Sequence, residues 1–313
     1  LSNEKGIAVQ DTRKALDGRA MGLMVVLCAI WGLQQVMLKA AAPDVSPLMQ
    51  IVLRSGVAAL LVGLWMRRCG MGFDWHDGTW RAGLLVGCLF AVEFLLVGEG
   101  LRFTSASHMV VFLYTAPIFV ALGLHWKLPA ERLAAGQWFG VALAFGGIVI
   151  AFFGRGKPAG ALGDILWGDF LALLAGLAWG ATTVAVRLTG LARLPAAKTL
   201  LYQLAIGFVL LMLAVVALGQ TGFRSTPIAW GSLLFQSVVV SFASYLTWFW
   251  LLRHYLASRL GVFSFLTPLF GVAFGVWLLD EPLEASFLVG ALLVCAGIVL
   301  VSGHAWFKAR QMR

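Results

Sequence analysis

Two side chains of opposite charge stand inside long apolar runs, Arg54 within 48–66 and Glu93 within 80–101. Charge in such surroundings is costly, and as a rule it is partnered or functional. At 1.5 Å per helical residue, Arg54 lies about 9 Å inside the end of its run, and Glu93 lies at a similar depth. That match predicts an ion pair. Two roles fit Glu93: half of a structural clamp, or a proton site or partner for a substrate ammonium. Other polar and aromatic residues recur at helical intervals. Ser237, Ser241, Ser244 and Trp248 follow i, i+4, i+7, i+11, with Tyr245 beside them. Thr104, His108 and Thr115 share a face, with Tyr114 close by, while Trp31, Gln34 and Gln35 resemble a second group, Trp179, Thr182 and Thr183. Rings hold an aromatic body, and amides and hydroxyls meet its polar end. The chemistry is reversible binding in a polar, aromatic cavity. Taken singly, each hydroxyl also fits a bond between helices, and His108 fits a hydrogen-bonded structural histidine equally well.

Nothing in the sequence resembles bond-making machinery. There is no HExxH, GxSxG or Walker loop, and no paired intramembrane aspartates. An enzyme is not expected. The filter-like loop or ring-forming charge run of a channel is absent from the sequence. The four cysteines, Cys28, Cys69, Cys88 and Cys295, show no CxxC spacing and read as packing residues. No metal and no cofactor are expected. Pro117 and Pro268 are the mid-run prolines. Each removes a backbone hydrogen bond and bends its helix; the bends fit gating hinges or static kinks.

The elements that must position these residues are set by the solvent. The chain has 313 residues, 61% of them hydrophobic and 12% charged, with mean hydropathy +0.91. So little charge cannot cover a water-facing surface, because soluble domains carry about 25%. About 20 apolar residues cross the hydrocarbon of a bilayer as a helix, and helices satisfy their own backbone there. Ten such runs are predicted: Ala20–Lys39, Leu48–Met66, Trp80–Leu101, Thr104–Trp126 and Ala134–Phe153, then Ile165–Val186, Ala197–Leu218, Ile228–Leu252, Leu256–Leu279 and Ala285–Ser302. A Gly/Pro-rich linker, 154–164, separates the fives, and tails 1–19 and 304–313 flank them. Residues 1–18 are polar and mixed in charge, unlike a cleavable signal peptide. Of the 23 Lys and Arg, only Lys39, Arg102, Arg155, Lys157 and Arg224 fall on the side away from the termini, and Arg54 falls within a run. The positive-inside rule then places both termini in the cytoplasm. Interspersed in this way, the basic residues do not form a nucleic-acid footprint. Trp65, Trp80, Trp126, Trp167, Trp230, Trp277 and Trp306 sit near run ends, as interfacial anchors do.

The chain also repeats itself. Leu101-Arg102, Ala106-Ser107, Val111-Phe112 and Pro117 return as Leu252-Arg253, Ala257-Ser258, Val262-Phe263 and Pro268. Glu131, Gly140 and Gly147-Ile148-Val149 return as Glu281, Gly290 and Gly297-Ile298-Val299, and Trp31-Gly32 returns as Trp179-Gly180. Five spans is an odd number, so the second copy enters the membrane from the opposite side. Inverted repeats mark secondary transporters, with substrate held between them near the midplane.

On these residues the sequence resembles the drug/metabolite transporter superfamily, and within it the ten-helix EamA-type exporters, most closely the aromatic amino-acid exporters. The resemblance covers roughly Ala20 to Ser302. It implies a multi-pass protein of the bacterial inner membrane that exports small metabolites or drugs. The full expectation is an all-α membrane protein of two inverted five-helix repeats, working as a monomer by alternating access. Its substrate is an aromatic or other hydrophobic amino acid or, alternatively, a lipophilic cationic drug.

Overall fold

The computed structural model describes residues 13–72, 78–104, 106–152, 161–279 and 285–311; of 302–311 it describes the helical backbone alone. Among these residues every regular element is a helix, and the only extended pairings are the isolated bridges Lys14–Tyr255 and Val45–Phe223. Among the described residues nine helices are long and apolar enough to cross a bilayer, and Ala285–Val301 is a shorter apolar stretch. Glu281, Leu283, residues 1–12 and most of the linker lie outside the described residues.

The first three spans are single helices, and two of them open on a side-chain cap. Helix α1 (Gly18–Ala41) opens on Asp17, whose Oδ1 accepts the Ala20 amide at 2.8 Å. That bond holds the Asp17 carboxyl below its ordinary range. Helix α2 (Pro47–Arg68) has Ser46 as its cap and Pro47 at its first position, where the missing N–H has no cost. Helix α3 (Trp80–Gly100) follows. The fourth span is broken into α4 (Ala106–Leu113) and α5 (Ala116–Lys127), and α6 (Ala135–Phe152) closes the first half. The second half has α7 (Leu162–Leu188) and α8 (Ala196–Ala217). Its eighth span changes type: α9 (Pro227–Leu234), ten π-helical residues (Phe235–Ser244), then α10 (Tyr245–His254). The ninth is broken again, α11 (Ala257–Phe263) and α12 (Leu266–Leu279), before α13 (Ala285–Gln311).

The two breaks lie just ahead of Pro117 and Pro268, and they are built alike. The amides of Thr115 and Ile118 reach back three residues, to Phe112 and Thr115, and those of Ser264 and Thr267 reach Gly261 and Ser264. Each break also has a hydroxyl on a carbonyl three residues back, Thr115 Oγ1 on Phe112 O and Ser264 Oγ on Gly261 O, both at 2.6 Å. Pro117 rests on Gly261, where an added Cβ would come to 3.6 Å.

Glycine decides how closely the helices approach. Helices α6 and α13 run antiparallel with their backbones in contact. A Cβ on Gly140 would meet Gly297 O at 2.8 Å, and one on Gly147 would meet Gly290 O at 2.6 Å. Packing at small residues is the main source of helix association in lipid, where the hydrophobic effect no longer separates helix from solvent. The Trp-Gly pairs follow the same logic. Gly32 lets α1 close on Phe270 of α12, and Gly180 lets α7 close on Phe119 of α5. The outer surface is apolar: Leu60 is 70% exposed and Leu292 73%. The anchoring tryptophans Trp65, Trp80, Trp126, Trp167, Trp230 and Trp277 are exposed as well. In water such a surface would aggregate; in a bilayer it is solvated.

The contact geometry separates two adjacent glycines. Gly147→Ala forces backbone apart and should cost about 1–3 kcal/mol, whereas Gly146, with open space around its Cα, should accept Ala without loss. Thermal unfolding of the two variants in detergent checks this; equal melting temperatures would contradict the close approach.

Candidate functional site

Between the halves lies a cavity of about 130 Å³. Helix α1 brings Trp31, Gln34 and Gln35 to it, α3 brings Phe90, Glu93 and Phe94, and α7 brings Trp179, Thr182 and Thr183. Tyr114 enters at the break between α4 and α5, Gln203 from α8, and Tyr245, Trp248, Phe249 and Leu252 from α10. Two tryptophans, one from each half, line the site, each in an edge-to-face pair. Trp31 meets Trp248 with centroids 5.8 Å apart at 77°, and Trp179 meets Tyr114 at 5.4 Å and 87°. Trp31 Nε1 donates to Ser244 Oγ at 2.9 Å, and Ser244 Oγ donates in turn to Val240 O at 2.5 Å. Ser244 thus fixes an indole at the wall and is not itself among the lining residues.

The structure separates the expected ion pair. Arg54 and Glu93 do not meet at ion-pair distance. Helix α2 packs on α8 and on the π-helical segment and touches α3 only lightly, so the two charges are not in hydrogen-bond contact, although the Arg54 charge still acts on Glu93 across the gap. Arg54 is fully buried. Its Nη1 donates to Gln236 Oε1 at 3.1 Å, its Nη2 donates to the Tyr245 hydroxyl at 3.2 Å, and its guanidinium lies 5.2 Å from the Phe94 ring centroid. Gln236 Nε2 donates onward to Gln50 Oε1 at 2.9 Å, which also accepts from Ser232. Gln50 donates to the carbonyls of Leu38 and Val45. Arg54 is therefore a strut behind the cavity wall. Glu93 is the sole charged side chain among the described lining residues.

His108 also stands apart from the cavity. Its Nδ1 lies 3.0 Å from Asp169 Oδ2, and Asp169 Oδ1 accepts from Thr104 Oγ1 at 2.5 Å. This buried cluster joins the start of α4 to the first turns of α7. Asp169 went unread in the sequence, although an acid inside the run Ile165–Val186 was the available signal. At the other end of α7, Glu131 is buried among five donors. It takes Arg187 Nε at 2.9 Å and Arg187 Nη2, the amides of Ala257 and Ser258 at 3.0 Å, and Ser258 Oγ at 2.7 Å. Its repeat with Glu281 was legible; its partner Arg187, beyond the end of a run, was not. Among the described residues no group of His, Cys, Asp and Glu could hold a metal ion.

A bundle of apolar, membrane-length helices around a polar, aromatic cavity defines a multi-pass membrane transport protein. The chain belongs to the EamA-like transporter family, which matches residues 18–153 and again 166–303. It is 24% identical over 282 residues to the uncharacterized transporter YoaV of Bacillus subtilis, covering 88% of this chain and 94% of that one. It is 25% identical over 306 residues to a probable amino-acid metabolite efflux pump of Escherichia coli, covering 92% and 96%. A solved crystal structure superposes with a TM-score of 0.78 at 18% identity, over 91% of this chain and 98% of that one; at that identity the likeness is one of fold.

Removing the Glu131 carboxylate leaves the Arg187 guanidinium buried without its counter-charge. Glu131→Gln should lower stability by about 3–5 kcal/mol, the usual cost of a stranded buried charge, and Glu131→Gln/Arg187→Met should recover part of it. Unfolding of both variants, followed by tryptophan fluorescence, checks the sign; a double variant weaker than the single one would refute the coupling.

Proposed function

We propose that this protein is a secondary transporter that exports small amphipathic metabolites, aromatic and other hydrophobic amino acids foremost, by alternating access. The carrying observation is the cavity wall: two tryptophans in matched positions, amides from Gln34, Gln35 and Gln203, hydroxyls from Thr182 and Thr183, and little fixed charge. Rings of that kind hold an aromatic body, with about 0.5–1.5 kcal/mol per pair beyond burial. A second reading, export of lipophilic organic cations, draws on Glu93, a carboxylate with no cation beside it in the lining.

In this proposal residues 20–153 and 165–303 are inverted repeats joined by 154–164. Both termini, tails 1–19 and 304–313, are in the cytoplasm, the membrane is the bacterial inner membrane, and the working unit is a monomer. The glycine pairs support the inversion. Gly140 and Gly147 are the repeat equivalents of Gly290 and Gly297, so the contacts Gly140–Gly297 and Gly147–Gly290 exchange under a two-fold axis. The matched breaks before Pro117 and Pro268 support a role as hinges, since interrupted helices at corresponding positions point to a transporter's working site.

Flux into proteoliposomes, with and without a pH gradient, tests the substrate. Trp31→Ala and Trp179→Ala should slow aromatic amino acids more than alanine, and equal loss for all substrates would count against stacking. Glu93→Gln should spare amino-acid flux on the first reading and abolish organic-cation flux on the second.

The hinges make a separate prediction. Pro117→Ala and Pro268→Ala restore a backbone donor and should cut flux severalfold while thermal stability is retained. Wild-type flux from both would reduce the bends to packing features.

A further inference from the structure

A second concavity, of about 520 Å³, opens where α1, α2, α8 and α10 end on the side of the termini. Its walls are apolar, formed by Leu23, Trp65, Met71 and Leu246, and its rim carries two guanidinium groups, Arg19 and Arg253. No acidic side chain is among its described lining residues. The Arg19 guanidinium lies 5.5 Å from the Trp250 ring centroid, and both arginines are exposed. Asp17, the nearby acid, is engaged by the Ala20 amide and by the Tyr255 hydroxyl at 2.9 Å. Helix α10 is the partition between the two concavities. Its Tyr245, Trp248, Phe249 and Leu252 line the central cavity, whereas Leu246, Thr247, Trp250 and Arg253 line this groove.

We propose that the groove is a binding site for one anionic phospholipid of the cytoplasmic leaflet. The phosphate sits on Arg19 and Arg253, and an acyl chain lies along Leu23, Trp65 and Leu246. Guanidinium forks match phosphate oxygens in geometry as well as charge. Basic pockets between helices on the cytoplasmic side select acidic headgroups. The apolar walls and the exposed Trp65 favour a whole lipid over a free anion, since a soluble phosphate would leave them in contact with water. Bound there, the lipid packs the back of the helix whose front holds substrate, so headgroup charge should modulate transport. The leaflet, though not the site, rests on the proposed orientation.

Native mass spectrometry of the full chain with phosphatidylglycerol or phosphatidylcholine of matched acyl chains tests the site. One phosphatidylglycerol should be retained where phosphatidylcholine is lost. Arg19→Gln/Arg253→Gln should weaken that retention roughly tenfold or more, the loss expected when charge-assisted bonds disappear. Arg67→Gln/Arg68→Gln, on the same side but outside the groove, should leave it unchanged. Leu246→Trp fills the groove without altering charge and should displace the lipid too, which keeps the test open if the double Gln variant does not fold. Equal retention of both lipids by the wild-type protein, or competition by glycerol phosphate as effective as by the whole lipid, overturns the proposal. The leaflet is tested separately at Cys69, exposed at the end of α2. A membrane-impermeant maleimide should label it only in broken cells. Labelling in intact cells would overturn the orientation and the leaflet named here, whatever the retention measured in detergent.

Discussion

The Glu131 carboxylate gathers three separate stretches of chain. The turn after α5 supplies it, α7 answers with Arg187, and the start of α11 answers with Ala257 and Ser258. In hydrocarbon-like surroundings a carboxylate persists only when its charge and lone pairs are met, and here a carboxylate of the first half is met by groups of the second. The end of the fourth span, the end of α7 and the entry of the ninth span are thereby held in one arrangement. The broken fourth and ninth spans and α7 therefore meet at one buried charge. At the other end of α7, Asp169 with His108 and Thr104 makes a smaller joint of the same kind, also between halves. Helix α7 is thus tied at both ends and carries Trp179 between its ties.

Much of this was legible in the sequence because lipid imposes a simple rule. Ten apolar runs of the required length could be counted, and the described helices follow them to within a few residues, except that α13 continues past its run to Gln311, with Pro47 and Ser46 marking a start as their chemistry dictates. Internal repetition brought Trp31 and Trp179, and Pro117 and Pro268, into correspondence before any contact was known. Helical spacing grouped Trp31, Gln34 and Gln35, and likewise Trp179 and Thr182, and these residues do share a cavity wall.

What stayed hidden is azimuth. Depth in the membrane can be counted along a run, but which neighbour a face meets depends on packing elsewhere. Arg54 and Glu93 matched in depth and failed in direction, because α2 turns Arg54 toward Gln236. Spacing groups Thr104, His108 and Thr115 on one face; Thr104 and His108 do come together, but on Asp169, a partner that spacing along one run does not supply. Ser244 was read as a substrate contact and proves to orient Trp31.

The ten π-helical residues of the eighth span enforce a phase. In an α-helix each residue turns the face by about 100°, and π geometry, with its i→i+5 bonding, is rare outside single turns. Everything beyond Ser244 inherits the angle accumulated in that stretch. It is this accumulated angle that turns Tyr245 and Trp248 inward and Trp250 and Arg253 outward. Rewinding the segment as α-helix, or deleting one residue from it, would exchange parts of those two faces with no change to a single side chain downstream. The eighth span is in that sense a dial, and its setting determines which residues of α10 line the central cavity.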